Sequence, residues 1–202
     1  MRNLIKLILA AAAVFFVLGC ATPARTVTRT AADAQIDLSG RWNDTDAKMV
    51  AEAMIDDVLR RPWLSNFRSQ KGQTPVVVVG DVRNLSSEHI DTAPFIRDME
   101  RELLNSGAVR FVAGDAAREQ IRAERMDQQT QARDDTIARL GAEIGADFML
   151  RGAIGSTTDA VDGLRAVAYK VTLELINIES NEIVWIGDKE IKKVIEQSRV
   201  RW

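Results

Sequence analysis

The chain has 202 residues, with 27 Lys and Arg against 29 Asp and Glu, a net charge of −2, and a hydrophobic fraction of 46%. That near-balance lacks the concentrated basic excess of a nucleic-acid binder, and the hydrophobic fraction is ordinary for a globular protein. A single cysteine excludes an intramolecular disulfide, so any core must be held by packing alone.

The first segment reads as an export signal. Arg2 and Lys6 give a positive start, and Leu7 to Leu18 is an unbroken apolar run. The run is short of the roughly 20 residues that span a bilayer. It closes on Val17-Leu18-Gly19-Cys20, which resembles a bacterial lipobox: residues 1–19 are removed between Gly19 and Cys20, and the Cys20 thiol carries the lipid. An ordinary small-residue cleavage site at Gly19-Cys20-Ala21, or an uncleaved short anchor, are the other readings. A lone thiol in an exported chain weighs for lipidation, and several acyl chains on one cysteine exceed the two-signal requirement for stable attachment. The resemblance to bacterial lipoproteins, in many of which Asp after the cysteine marks retention in the inner membrane, implies the outer membrane for Ala21 at that position. Loss of Arg2 and Lys6 leaves 25 basic residues against 29 acidic, near −4. No second apolar run approaches membrane-spanning length.

Residues 20–36 are expected to be a flexible tether, and 37–202 one domain. Leu38 and Trp42 are costly to leave in water, so Ile36 to Asn43 is expected to lie extended against the domain, with Gly40 permitting a bend. Asp44 reads as an N-cap. Ala47, Val50, Ala51, Met54, Ile55, Val58 and Leu59 follow at helical spacing, and Pro62 is expected to stop that helix. Trp63, Leu64 and Phe67 form a small apolar cluster. Pro75 opens Val76-Val77-Val78-Val79-Gly80, a strand buried on both faces, and Leu85 to Thr92 is a polar loop. Pro94 starts a helix carrying Phe95, Ile96, Met99 and Leu103, with Gly107 as its left-handed terminus.

Val109 to Val112 alternates like a short strand. Asp115 to Arg133 is charged and helical in propensity. Asp134 or Asp135 caps a further helix with Ile137, Leu140 and Ile144, ended by Gly145. The last third is β: Phe148 to Ile154, the turn signal Asp162-Gly163, the alternation of Val167, Tyr169, Val171, Leu173 and Leu175, a turn at Asn181, and Ile183, Trp185 and Gly187. The order predicts an α+β domain. Its mixed sheet has about five strands, ends in an antiparallel three-strand meander, and carries helices packed on it.

Candidate chemistry is sparse. His89 is the only histidine, and its neighbours Ser86 and Ser87 are adjacent in sequence, which is not triad geometry. One histidine and one lipidated cysteine do not make a zinc site. The pairs Asp44/Asp46, Asp56/Asp57 and Asp134/Asp135 are read mainly as helix-terminal acids. Gly152 to Ser156 leads into a hairpin rather than a helix N-terminus, so it is not a phosphate loop. Arg118, Arg122 and Arg125 share one helical stripe that reads as a solvated face. Lys189 to Trp202, the most basic stretch, reads as a strand end and a frayed tail, with peptidoglycan, lipid headgroups or a protein as its alternative contacts. The residues argue for an exported, non-catalytic binding module with no cofactor, metal, nucleic acid or small-molecule substrate.

Three segments carry a family resemblance: Asp37-Leu38-Ser39-Gly40-Arg41-Trp42-Asn43-Asp44 with the helix after it, Glu143 to Leu150, and Leu173 to Gly187. Together they resemble the LpoB family of lipoprotein activators of penicillin-binding proteins. Asn181 stands where the family usually has Gly, a substitution that left-handed geometry tolerates. The resemblance implies a domain similar to the N-terminal domain of TolB, and a role in binding a bifunctional penicillin-binding protein and raising its polymerising and cross-linking activity. A long Pro-rich tether is known in the family, whereas 20–36 gives a root-mean-square reach of only ~20–25 Å, or ~55 Å stretched. Two further hypotheses come from other classes. One is a structural or adaptor lipoprotein of an envelope or secretion assembly, related in fold to the curli exporter. The other is a hydrolase using His89.

Overall fold

The computed structural model describes residues 27–31, 34–37, 39–112, 114–131 and 145–196. The chain divides into two units, Met1–Ala34 and Gln35–Trp202. In the first, Ala34 N–H donates to Ala31 O at 3.1 Å. Every helix and strand below belongs to the second.

Its elements run α1 (Asp44–Leu59), α2 (Pro62–Lys71), β1 (Val76–Asn84), α3 (Ala93–Asn105), β2 (Arg110–Phe111), α4 (Asp115–Gln131), β3 (Phe148–Val161), β4 (Leu164–Asn177) and β5 (Ile183–Glu196). The sheet order is β2-β1-β3-β4-β5. β2, β1 and β3 are parallel, while β3, β4 and β5 form the antiparallel meander. The mixed five-stranded α+β architecture is the one expected.

α1 starts one residue earlier than the sequence suggests. Asn43, not Asp44, is the N-cap: its side chain accepts Asp46 N–H at 3.0 Å, and Asp46 Oδ2 accepts Asn43 N–H at 2.9 Å. This reciprocal pair satisfies two otherwise orphaned donors. Pro62 does follow the end of α1, but it also opens α2, where its fixed φ suits the first turn and its missing N–H goes unneeded. The cluster Trp63, Leu64 and Phe67 is therefore the buried face of a helix that the sequence reading missed. Trp63 and Phe67 meet Phe148 edge-on at 5.0 and 5.3 Å, and Trp63 Nε1 donates to Val58 O at 2.6 Å.

Val76 to Val79, which open β1, are all buried. The strand then continues to Asn84 through a bulge between Val79 and Val82. One extra residue inverts the side-chain parity, so Val77, Val79 and Val82 all reach the same core. The buried residues of α1, α2 and α3 join Phe148, Leu150 and Ile154 of β3, alternate residues of β4 from Val167 to Leu175, and Trp185 of β5. The opposite face of the meander carries Arg151, Lys170, Glu174, Asp188 and Lys192. The hairpin turns behave as their residues predict, with positive φ at Asp162 (40°), Gly163 (86°) and Asn181 (60°). The strand expected over 109–112 shortens to Arg110–Phe111, while Val109 packs in the core. The helix expected after Asp134 or Asp135 lies outside the described residues.

Gly152 is dictated by packing, because a Cβ there would overlap Thr172 O and the Leu173 side chain. Gly152→Ala is expected to lower stability by about 1–3 kcal/mol. Gly155→Ala, whose Cβ would meet nothing nearer than Lys170 O at 3.9 Å, is expected to change it by less than ~0.5 kcal/mol. Urea unfolding of the two variants checks this, and equal losses would contradict the packing argument.

Candidate interaction surface

One end of the domain is built around two polar groups that rise from the sheet into the helix layer. Lys193 of β5 is the first. Its side chain is 9% exposed, and Nζ donates to Asp46 Oδ2 at 2.6 Å, Asp37 Oδ1 at 2.7 Å and Arg41 O at 3.0 Å. All three ammonium donors are thereby satisfied. Asp46 is itself 4% exposed and Asp37 40%. Burial alone would lower the Lys193 pKa, but hydrogen bonds to Asp37 and Asp46 outweigh it and hold the pKa above the usual lysine value. Asp37 is lowered, first by its hydrogen bond from Lys193 and then by that from Asn43.

Tyr169 of β4 is the second group. Its ring is fully buried, and its hydroxyl donates to Glu88 Oε1 at 2.7 Å, lies 3.3 Å from Gly40 O, and accepts Trp42 N–H at 3.1 Å. Burial pushes the phenol well above its ordinary range, reinforced by the Glu88 carboxylate. The Trp42 ring meets Tyr169 and Phe95 edge-on at 5.7 and 6.1 Å. Gly40, at φ +62°, passes so close to Ile195 that a Cβ there would overlap its side chain.

These bonds hold Asp37 and the segment from Ser39 to Asn43 as a strap, and they hold the β1–α3 loop beside it. The described part of Ile36 to Asn43 thus lies against the domain as expected, bending at Gly40. Between strap and loop is an open groove of about 470 Å³, whose lining includes Arg41, Trp42, Asp44, His89, Asp91 and Pro94. The surface is tied to the sheet by side-chain hydrogen bonds, mixed in charge and partly aromatic. Such a surface suits protein recognition.

The chemical candidates fall elsewhere. His89 is exposed, while Ser86 Oγ is bound to Asn84 Oδ1 at 2.7 Å and Ser87 Oγ lies 3.4 Å from Ser156 Oγ. The serines are thus engaged in turn and strand contacts and are not presented to His89. Among the described residues, no cluster of His, Cys, Asp and Glu is arranged to hold a metal ion. Asp46 closes the capping box and also anchors Lys193. Asp56 pairs with Arg60 at 2.7 Å on the surface. Asp57 accepts Trp185 Nε1 at 2.9 Å and is chelated by Arg61, so it ties α1 to β5. Its carboxyl is held below the usual range, mainly by Arg61. Gly152 to Ser156 is strand, and Arg118, Arg122 and Arg125 lie along α4. Lys189 and Lys192 are exposed, as a basic strand end requires, but Lys193 points inward. Cys20, Gly19, Asp134 and Asp135 lie outside the described residues. Among those described, no helix is long and apolar enough to cross a membrane.

Lys193→Met is expected to cost about 3–5 kcal/mol, because it leaves the Asp46 carboxylate buried without its cation. The pH dependence follows from the two shifts. The raised Lys193 pKa contributes stability that is complete below 10.5 and lost as pH climbs through the folded value. The lowered Asp37 pKa contributes stability present above 3.8 and lost as pH falls through the folded value. The raised Tyr169 phenol adds a second alkaline loss that begins above 10.0. Urea unfolding across pH is therefore expected to show a plateau between 3.8 and 10.0, and Lys193→Met should shrink the alkaline decline to the part that Tyr169 contributes.

The family model described as peptidoglycan-synthase activator LpoB matches residues 46–191. Comparison with curated proteins finds no match. Among solved structures, the LpoB C-terminal domain from Escherichia coli is similar at 18% identity, over 72% of this chain and 98% of that one, with a TM-score of 0.45. The same domain from Salmonella enterica aligns at 16% identity over 72% and 98%, with a TM-score of 0.42. Lipoprotein GNA1162 from Neisseria meningitidis aligns at 13% over 63% and 88%, with a TM-score of 0.38. The matched residues run from the first turn of α1 to Ile191 in β5, and the chain belongs to the LpoB family of peptidoglycan-synthase activators.

Proposed function

We propose that this protein is an outer-membrane lipoprotein that binds a bifunctional penicillin-binding protein in the periplasm and raises its glycan-polymerising and cross-linking activity, without chemistry of its own. The observation that carries the reading is the family match across residues 46–191. In this reading residues 1–19 are a signal peptide cleaved between Gly19 and Cys20, and Cys20 carries the lipid. Residues 20–36 are the tether, and 37–202 form the activating domain.

Activation is then a matter of differential binding. A lipoprotein that favours the working conformation of the synthase over the idle one shifts the population toward the working form. A tenfold shift requires only ~1.4 kcal/mol of preference. A rigid surface serves this better than a flexible one, because less ordering is lost on binding. The docking of Asp37 onto Lys193 supports a tether that stops short of the strap, so the domain works near its own membrane and the synthase supplies most of the reach.

Two measurements test the proposal. The domain spanning 37–202, added at saturating concentration to a purified bifunctional penicillin-binding protein, is expected to raise its rate of glycan polymerisation several-fold; an unchanged rate would refute the activator role. In cells, Cys20→Ala is expected to abolish incorporation of labelled palmitate, whereas persistent labelling would refute lipidation at that residue.

A further inference from the structure

Among the described residues the sheet ends on β5, whose strand neighbour is β4. It is 14 residues long, and among the described residues its outward edge meets no other strand. The side chains on its solvent face are Ile186, Asp188, Glu190, Lys192 and Val194. Ile186 is 61% exposed and Val194 64%. A long edge with exposed apolar residues is a template for another strand unless its sequence forbids pairing.

The order of these five residues selects a partner. In an antiparallel pair, residues directly opposite lie on the same face and interact. If β5 pairs with a second β5 about a two-fold axis at Glu190, Ile186 falls opposite Val194 of the other copy, and Asp188 falls opposite Lys192. Symmetry gives each of these contacts twice. The only unfavourable pair is Glu190 with itself, and Lys192 Nζ lies 3.2 Å from Glu190 Oε1 within each chain. Moving the register two residues one way sets Asp188 against Glu190. Moving it two the other way sets Ile186 against Glu196 and Val194 against Asp188. The ion pair that Asp188 makes inside the chain, with Lys170 at 3.6 Å, is solvent-exposed and cheap to rearrange.

We infer that β5 is a self-association edge, and that two copies of this chain join through antiparallel β5–β5 pairing centred on Glu190 into one continuous sheet. Such a contact is isologous and closes at two copies, so it builds a dimer and not a ring.

Cysteine cross-linking of the full chain in membranes of producing cells tests the register. Under mild oxidation, Glu190→Cys is expected to give a reducible dimer on a non-reducing gel. Asp188→Cys alone and Lys170→Cys should stay monomeric like the unsubstituted chain, while Asp188→Cys with Lys192→Cys should dimerise. Adding Asp188→Lys to Glu190→Cys should reduce the dimer roughly tenfold, and a further Lys192→Asp should restore it. A monomeric Glu190→Cys chain would overturn the inference, as would an equal dimer yield from Lys170→Cys. A dimer indifferent to Asp188→Lys would overturn it too.

Discussion

The ammonium of Lys193, held between Asp46 and Asp37, is the contact on which this end of the domain depends. It joins the last strand of the sheet to the first turn of α1 and to the strap that enters the domain. Neither carboxylate is there for the lysine alone. Asp46 also closes the capping box of α1, and Asp37 also accepts Asn43 Nδ2 at 2.8 Å. A buried charge of this kind is weak evidence for net stability, since an apolar replacement of both partners often does as well. Its value here is in register. In the observed arrangement of strap, helix and strand, all three donors of the lysine are satisfied.

Tyr169 extends the same logic to the β1–α3 loop. One hydroxyl is shared by Glu88 of the loop and Trp42 of the strap, so two irregular segments are positioned by a residue of the central sheet. The result is a surface made from loops but held by strands and a helix. Such an arrangement suits a protein that acts by contact.

Much of this was legible in sequence, and particular residues show why. The alternation from Val167 to Leu175 and the Asp162-Gly163 turn depend only on neighbours along the chain, so the meander was plain. The helical stripes of α1 and α3 were equally local. Asn43 and Asp44 are both competent caps, and only the position of Asp46 three residues after Asn43 favours the first. Pro62 reads as a terminator unless Trp63, Leu64 and Phe67 are recognised as one helix face. By composition alone Lys193 reads with the exposed basic residues of its stretch, and only parity separates it from them. Continuing the alternation from Trp185 through Ile191 places Lys193 on the inward side, with Ile195 beyond it; Ile183 falls out of step and is exposed, because the ladder shifts register between Leu175 and Ile176. That signal was present and locates the lysine. It does not reveal Asp37 and Asp46, which lie about 150 residues away in the chain and are brought together only by the fold.

The most direct measurement of the central claim, that the domain acts by contact with a peptidoglycan synthase, is photo-cross-linking in living cells from single positions on its surface. A photoreactive side chain at His89, on the rim of the strap groove, is expected to capture a bifunctional penicillin-binding protein, identified by mass spectrometry of the adduct. Capture of unrelated envelope proteins, with no synthase recovered from His89 or from a series of exposed positions around the domain, would contradict the account.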